Sequence, residues 1–229
     1  AVQRHHAVAQ GQHLEAAFDR RIAEAAVEGA HRLADGQRQR GAHAGGMRGA
    51  RGSRIEEQAE RHAPRVALAE AAEAGVTRVI DVGTDPADST AAADRAAALP
   101  QVWATAGVHP HEAGDADPGT LESLERLEPV AIGETGLDYY RDYAPHDVQR
   151  QLFQAHLAFA EELGKPVVIH CRAADADVAR ALGDFDGTVI LHCFSSQGLL
   201  WPALERGYYV SFAGNVTYPN AYDIRSAAR

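Results

Sequence analysis

Six short apolar runs, each separated from the next by a stretch long enough for a helix, divide residues 66–229, and this alternation constrains the fold more than any other feature. The runs are RVIDVG (78–83), VWATAGVHP (102–110), VAIGETG (130–136), PVVIHCR (166–172), TVILHCFS (188–195) and YYVSFAGN (208–215). Their β-branched and aromatic content suits strands buried on both faces. Their ends, near Gly83, His109, Glu134, His170, His192 and Gly214, lie 26, 25, 36, 22 and 22 residues apart. That spacing is the βα unit of a parallel sheet or barrel, so the expected fold class is α/β.

Helical patterns fill the gaps. Asp85 and Pro86 open the segment ADSTAAADRAAAL with a capping side chain and a proline at the first helical position. The segment DVQRQLFQAHLAFAEELGKP places Val148, Leu152, Phe153, Leu157, Ala160 and Leu163 on one stripe before Gly164 and Pro166 end it.

Residues 1–65 have a different texture, rich in Ala, Arg, Gly, Gln and His, with Phe18 as the sole aromatic residue and six of the twelve histidines. Residues 13–33 have the spacing of a helix, and the remainder reads as a disordered or frame-shifted segment. The histidines there are scattered and read as solvated side chains. This segment carries 11 arginines against 8 acidic residues, +3, whereas residues 66–229 carry 11 basic against 24 acidic residues, −13. Such a balance argues against nonspecific adhesion to nucleic acid through a basic face, so a phosphate substrate must be held locally, by a metal or a few arginines. No run of 18 apolar residues marks a membrane span, and no signal peptide is evident. Two cysteines, Cys171 and Cys193, imply no disulfide framework, and the expected location is the cytoplasm.

The out-of-place polar residues collect at the C-terminal ends of the strands: His109 and His111, Glu134, His170 with Arg172, and His192. In a (β/α)8 barrel these ends converge on one mouth, where such enzymes carry their active sites. Imidazole and carboxylate are ligands for zinc, manganese and related ions, which makes Glu134, His170 and His192 a candidate metal cluster. Strand alternation puts His170 and Arg172 on one face and turns Cys171 and Cys193 away, so both cysteines read as packing residues. Arg172 suits either a phosphate or a barrel carboxylate. His109 and His111 either point together into the mouth or cap its loop, and His109 is the expected substrate contact. No phosphate-binding loop, nucleophile elbow or dinucleotide fingerprint is present.

The motifs GVHPHEA, AIGETGLDYY, PVVIHCR, ILHCFS and YYVSFAGN, in this order, resemble the TatD family of metal-dependent deoxyribonucleases over residues 66–229. The resemblance implies a (β/α)8 TIM barrel of metal-dependent hydrolase type with a centre of two divalent ions, magnesium, manganese or zinc. It further implies hydrolysis of phosphodiester bonds in DNA by a metal-activated water, as a 3'-5' exonuclease acting on single strands or 3' ends. Glu134, His170 and His192 correspond to metal ligands, and His109, Tyr139 and Arg172 to residues around the substrate. The family's first strand carries an aspartate followed by an H-x-H ligand pair, and no such strand precedes Val66; its last strand ends in a Thr-Asp or Ser-Asp that would follow NAYDIRSAAR, so a barrel incomplete at both ends, with open edges, is expected. The alternative readings are an amidohydrolase-like barrel acting on a small ester or amide, disfavoured by Glu134 at the fourth strand where a modified lysine is usual, and a catalytically inert fragment.

Overall fold

The structure is a computed structural model and describes residues 65–229 apart from positions 118 and 142. The disorder or frame shift expected for residues 1–64, and the helix expected at 13–33, lie outside the described residues.

All six expected strands form: β1 (Val79–Val82), β2 (Val102–Ala106), β3 (Ala131–Asp138), β4 (Val167–Arg172), β5 (Val189–Leu191) and β6 (Tyr209–Val210). Each pairs in parallel with its sequence neighbour, in the order β1-β2-β3-β4-β5-β6. The sheet curls into a half-barrel whose edges, among the described residues, are β1 and β6. Between the strands run α1 (Pro86–Ala98), α2 (Thr120–Glu125), α3 (His146–Leu163), α4 (Asp175–Ala181) and α5 (Gln197–Arg206), with α6 (Tyr222–Ala227) after β6. A 3-10 helix, Pro110–Asp115, follows β2 directly. None of the described helices is long and apolar enough to cross a membrane.

Local sequence signals set the helix ends. Asp85 caps α1 by accepting the Asp88 N–H at 2.8 Å, with Pro86 at the first position. Gly164, in the left-handed conformation, closes α3.

The core lies between the sheet and the helices. Ile132, Leu137, Val167, Ile169, Val189 and Leu191 from the strands meet Phe153 and Leu157 of α3, Val178 of α4 and Leu199 of α5. Burying each such side chain contributes about 1.5–3 kcal/mol. The opposite face carries only a small cluster, Ala131, Val168 and Ile190 with Tyr209 against it. Functional residues therefore emerge on that second face, at positions continuing its alternation: His170 after Val168, His192 after Ile190, Ser211 after Tyr209.

Two polar residues, Gln149 and His156, join the buried stripe of α3, which the apolar pattern did not anticipate. Each satisfies backbone groups at a strand end. The Gln149 side chain accepts the Asp138 N–H at 2.9 Å and donates to the Asp138 and Ala144 carbonyls at 3.1 and 2.9 Å. His156 Nε2 accepts the Val108 N–H at 3.1 Å, so its proton lies on Nδ1, which donates to the Leu152 carbonyl at 2.8 Å. By placing an amide and an imidazole beside its buried hydrocarbon side chains, α3 thereby holds the ends of β2 and β3 in place.

This role fixes a pH dependence. Burial pushes the His156 imidazole down to about 4, whereas an unfolded histidine titrates near 6.5. The stability it contributes is complete above about pH 6.5 and is lost as pH falls towards 4, by about 3 kcal/mol at most. Urea unfolding at pH 7 and pH 4.5 should show a larger acid loss for the native chain than for His156→Gln, by about 2 kcal/mol. Equal losses would refute the assignment.

Candidate metal centre

The site depends on a one-residue slip in β3. Ile132 pairs with Val167 and Thr135 with Ile169, so three residues of β3 oppose two of β4. In a regular strand Ile132 and Leu137, five residues apart, would face opposite ways, yet both pack into the helix-side core. The bulge between them reverses the alternation and brings Glu134, Gly136 and Asp138 to the inner face with His170. Gly133 and Gly136 permit this, with φ of 136° and 133°, a region closed to most side chains.

Glu134, His170, His109, His111 and Asp138 then form one connected group. Glu134 Oε1 lies 3.1 Å from His170 Nδ1, and His170 Nε2 lies 3.2 Å from Asp138 Oδ2. His111 Nε2 approaches the same Asp138 oxygen to 2.7 Å. His109 Nε2 is 3.1 Å from His170 Nδ1 and 3.9 Å from Glu134 Oε1. Ligand atoms of His109, Glu134 and His170 all fall within 4.8 Å of one another. Both carboxylates are buried, a costly arrangement unless charge and hydrogen bonds offset it.

That compensation is visible in the protonation states. Burial alone would raise the Glu134 carboxyl, but the His170 hydrogen bond and the nearby His109 and His192 rings hold it well below the usual carboxylate range. Asp138 is held low in the same way, against burial, by His170, His111 and the Arg141 N–H. Burial would lower His170, yet hydrogen bonds to Asp138 and Glu134 outweigh it and raise the imidazole to about 9. Burial pushes His109 down to about 3, so this ring is neutral at neutral pH.

Hydrogen bonding also separates the roles of the histidines. His109 Nδ1 caps the 3-10 helix by accepting the His111 N–H at 3.2 Å, so the ring proton of neutral His109 is on Nε2, facing the cluster. His109 thus presents a donor to the site, suited to an anionic oxygen, rather than a lone pair for a metal. Both sequence alternatives hold at once, since this ring caps the loop and points into the mouth. Its backbone is fixed by the bond from its N–H to the Thr84 carbonyl, 2.8 Å, and by the His156 anchor on Val108.

His192 lies outside the tight triad but close enough to Glu134 to lower its pKa. Its Nδ1 is 3.4 Å from Ser211 Oγ, which already accepts the Cys193 N–H at 3.2 Å. That contact supports the ring from its Nδ1 side, while Nε2 lies 3.2 Å from Cys193 Sγ. Glu134, His170 and His192 are of the residue types that hold a divalent metal, and His170 would give up a ring proton on binding one.

Several expectations are revised. Cys193 does not turn to the helix layer: β5 ends at Leu191, Cys193 adopts φ 49°, and its Sγ sits 3.2 Å from His192 Nε2. Burial, helped by the Glu134 charge, pushes this thiol up to about 12, so it remains a neutral neighbour. Cys171 packs against the core as expected. Tyr139 does not face the cluster, because it alternates with inward-facing Asp138. Its hydroxyl donates to Asp177 at 2.6 Å and accepts from Arg150 at 3.1 Å, and its ring stacks on His146. Arg172 is exposed and has no carboxylate partner among the described residues; its guanidinium lies 4.0 Å over the Tyr140 ring. Asp138 and Ser211 were missed in the sequence. The even spacing Glu134, Gly136, Asp138 was a usable signal for Asp138, whereas nothing local distinguishes Ser211.

A half-barrel of parallel strands with carboxylate and imidazole groups gathered at the strand ends is the arrangement of a metal-dependent hydrolase. The chain belongs to the TatD related DNase family, whose model matches residues 54–229 and so begins ahead of the change in texture near residue 66. It is 37% identical over 156 residues to the 3'-5' ssDNA/RNA exonuclease TatD of Edwardsiella piscicida, covering 64% of this chain and 60% of that protein. It is 40% identical over 172 residues to an uncharacterized metal-dependent hydrolase TatD of Mycobacterium tuberculosis, covering 69% and 64%. Among solved structures, the TatD homologue YjjV of Escherichia coli matches with a TM-score of 0.67 and 28% identity, covering 72% of this chain and 68% of that one. The chain spans about 60% of the length of the curated relatives it matches.

Proposed function

We propose that this chain carries the larger part of a metal-dependent phosphodiesterase that removes nucleotides from single-stranded DNA in the 3'-to-5' direction. Glu134, His170 and His192 hold the metal, and His109 and Arg172 contact the substrate phosphate. The observation that carries this reading is buried Glu134 paired with His170 at 3.1 Å, with His192 nearby, a carboxylate whose burial has a clear reason in cation binding. The names of the exonuclease relatives support the choice of substrate.

When bound, a divalent cation would supply an acidified water as nucleophile and neutralise charge on the phosphate oxygens. Glu134 would hold the ion through its carboxylate, with His170 and His192 beside it. His109 donates its Nε2 proton to a non-bridging phosphate oxygen, a contact that strengthens as charge accumulates there. Arg172 offers a planar pair of N–H donors to the same or the adjoining phosphate. Asp138 holds the His111 and His170 rings in orientation through its Oδ2.

Release of nucleotides from single-stranded DNA should require added Mg²⁺ or Mn²⁺, fall to background in EDTA, and return when the metal is restored. Chelator-insensitive release, or hydrolysis confined to small esters, would overturn the proposal.

A further inference from the structure

The loop that leaves β3 carries two tyrosines that no core contact explains. Tyr140 and Tyr143 are each 64% exposed, beside the cluster at the strand ends. Neither ring is loosely placed. Asp138 Oδ1 accepts the N–H groups of both Tyr140 and Arg141, at 2.9 Å each, so the loop springs from the same carboxylate that orients His111 and His170. The Tyr140 ring is approached by two guanidiniums, Arg172 at 4.0 Å and Arg141 at 5.7 Å from its centroid. Tyr143 meets His111 edge to face, at 4.8 Å and 89°. Two exposed rings and two exposed arginines therefore border the cluster through which phosphate chemistry is proposed.

From this geometry we infer that Tyr140 and Tyr143 form a base-stacking subsite for unpaired nucleotides, with Arg141 and Arg172 taking the intervening phosphates. The inference rests on the phosphodiesterase reading and names what holds the substrate there. The chain's charge makes such a device necessary. With a net charge of −10, it has no general electrostatic attraction for a polyanion. Aromatic stacking contributes affinity that does not depend on protein charge, and it tolerates any base because every base has a π face. It also requires bases that are not paired, which gives a physical reason for selecting single strands over duplex. Arginine over the tyrosine ring fits the same scheme, because a stacked guanidinium keeps its N–H edge for phosphate.

The test is binding of a labelled oligothymidylate by fluorescence anisotropy in EDTA, where turnover does not intervene, beside an abasic oligonucleotide of equal length. The native chain should bind the base-bearing strand about tenfold more tightly than the abasic one. Tyr140→Ala and Tyr143→Ala should each remove most of that difference and leave abasic binding unchanged, while Tyr140→Phe and Tyr143→Phe retain it. Urea unfolding of all four variants separates loss of binding from loss of fold, and the phenylalanine forms preserve the test if an alanine form unfolds. Equal affinity of the native chain for both strands, failure to bind either, or alanine variants that keep the preference would overturn the subsite. Metal-dependent nucleotide release is measured alongside. Base-dependent binding without hydrolysis would count against the phosphodiesterase reading alone, and hydrolysis without base dependence against the subsite alone.

Discussion

Replacing Glu134 by alanine is expected to lower metal-dependent release of nucleotides from single-stranded DNA by more than about 100-fold, because groups that only support a ligand already cost 10–100-fold when removed. Glu134 is the charged centre of the cluster: it bonds His170 at 3.1 Å, lies 3.9 Å from His109, and senses His192. Without it, His170 still has Asp138 as a partner, so the fold should survive the change. Glu134→Gln keeps the size and one acceptor but removes the charge, and it should lose activity to a similar extent. Calorimetric titration with Mn²⁺ should show the binding heat falling in both variants. Retention of full activity by either one would remove Glu134 from the metal centre.

The second large effect concerns folding. Gly136 pairs with His170 across β3 and β4 and has φ 133°. A Cβ at this position would press into the His170 carbonyl oxygen, and would lie 3.0 Å from its carbonyl carbon and 3.1 Å from its nitrogen. These atoms are backbone and cannot swing aside, so Gly136→Ala must part the two strands or twist the residue out of its conformation. A cost of about 3–5 kcal/mol is expected, in the range that backbone strain and core disruption reach. Because His170 is the partner in this pairing and Glu134 lies two residues before Gly136, metal affinity should fall together with the urea midpoint. A variant within about 1 kcal/mol of the native chain would show that the strands yield more readily than their packing implies.

Both effects arise at places where the sequence pattern and the folded chain differ in what they reveal. The strands were legible because apolar β-branched runs at βα intervals have few alternatives, and each of the six is found at its expected place. The start of α1 was legible for a local reason as well, Asp85 and Pro86 acting within one turn. The strand-end residues His109, Glu134 and His170 could be singled out because polar groups terminating buried strands need a partner, and a parallel sheet brings such ends together.

Which of these groups meet, and by which atoms, was decided by tertiary structure. Simple alternation from Ile132 would have sent Glu134 towards the helices; the bulge reverses it, and a bulge is a property of two strands paired out of step. Tyr139 was lost from the site, and Asp138 gained, by the same alternation once reversed. The apolar stripe of α3 gave no sign that Gln149 and His156 would be buried with it, because their partners, the Asp138 and Val108 backbone groups, lie outside the helix and meet them only in the fold. By itself, then, the sequence determined that parallel strands would carry carboxylate and imidazole at their C-terminal ends, because hydrophobic periodicity and the cost of burying polar groups act through local composition. Register, ring tautomer and the partners of each buried polar atom were decided only in three dimensions, because each depends on hydrogen bonds between residues that the sequence keeps apart.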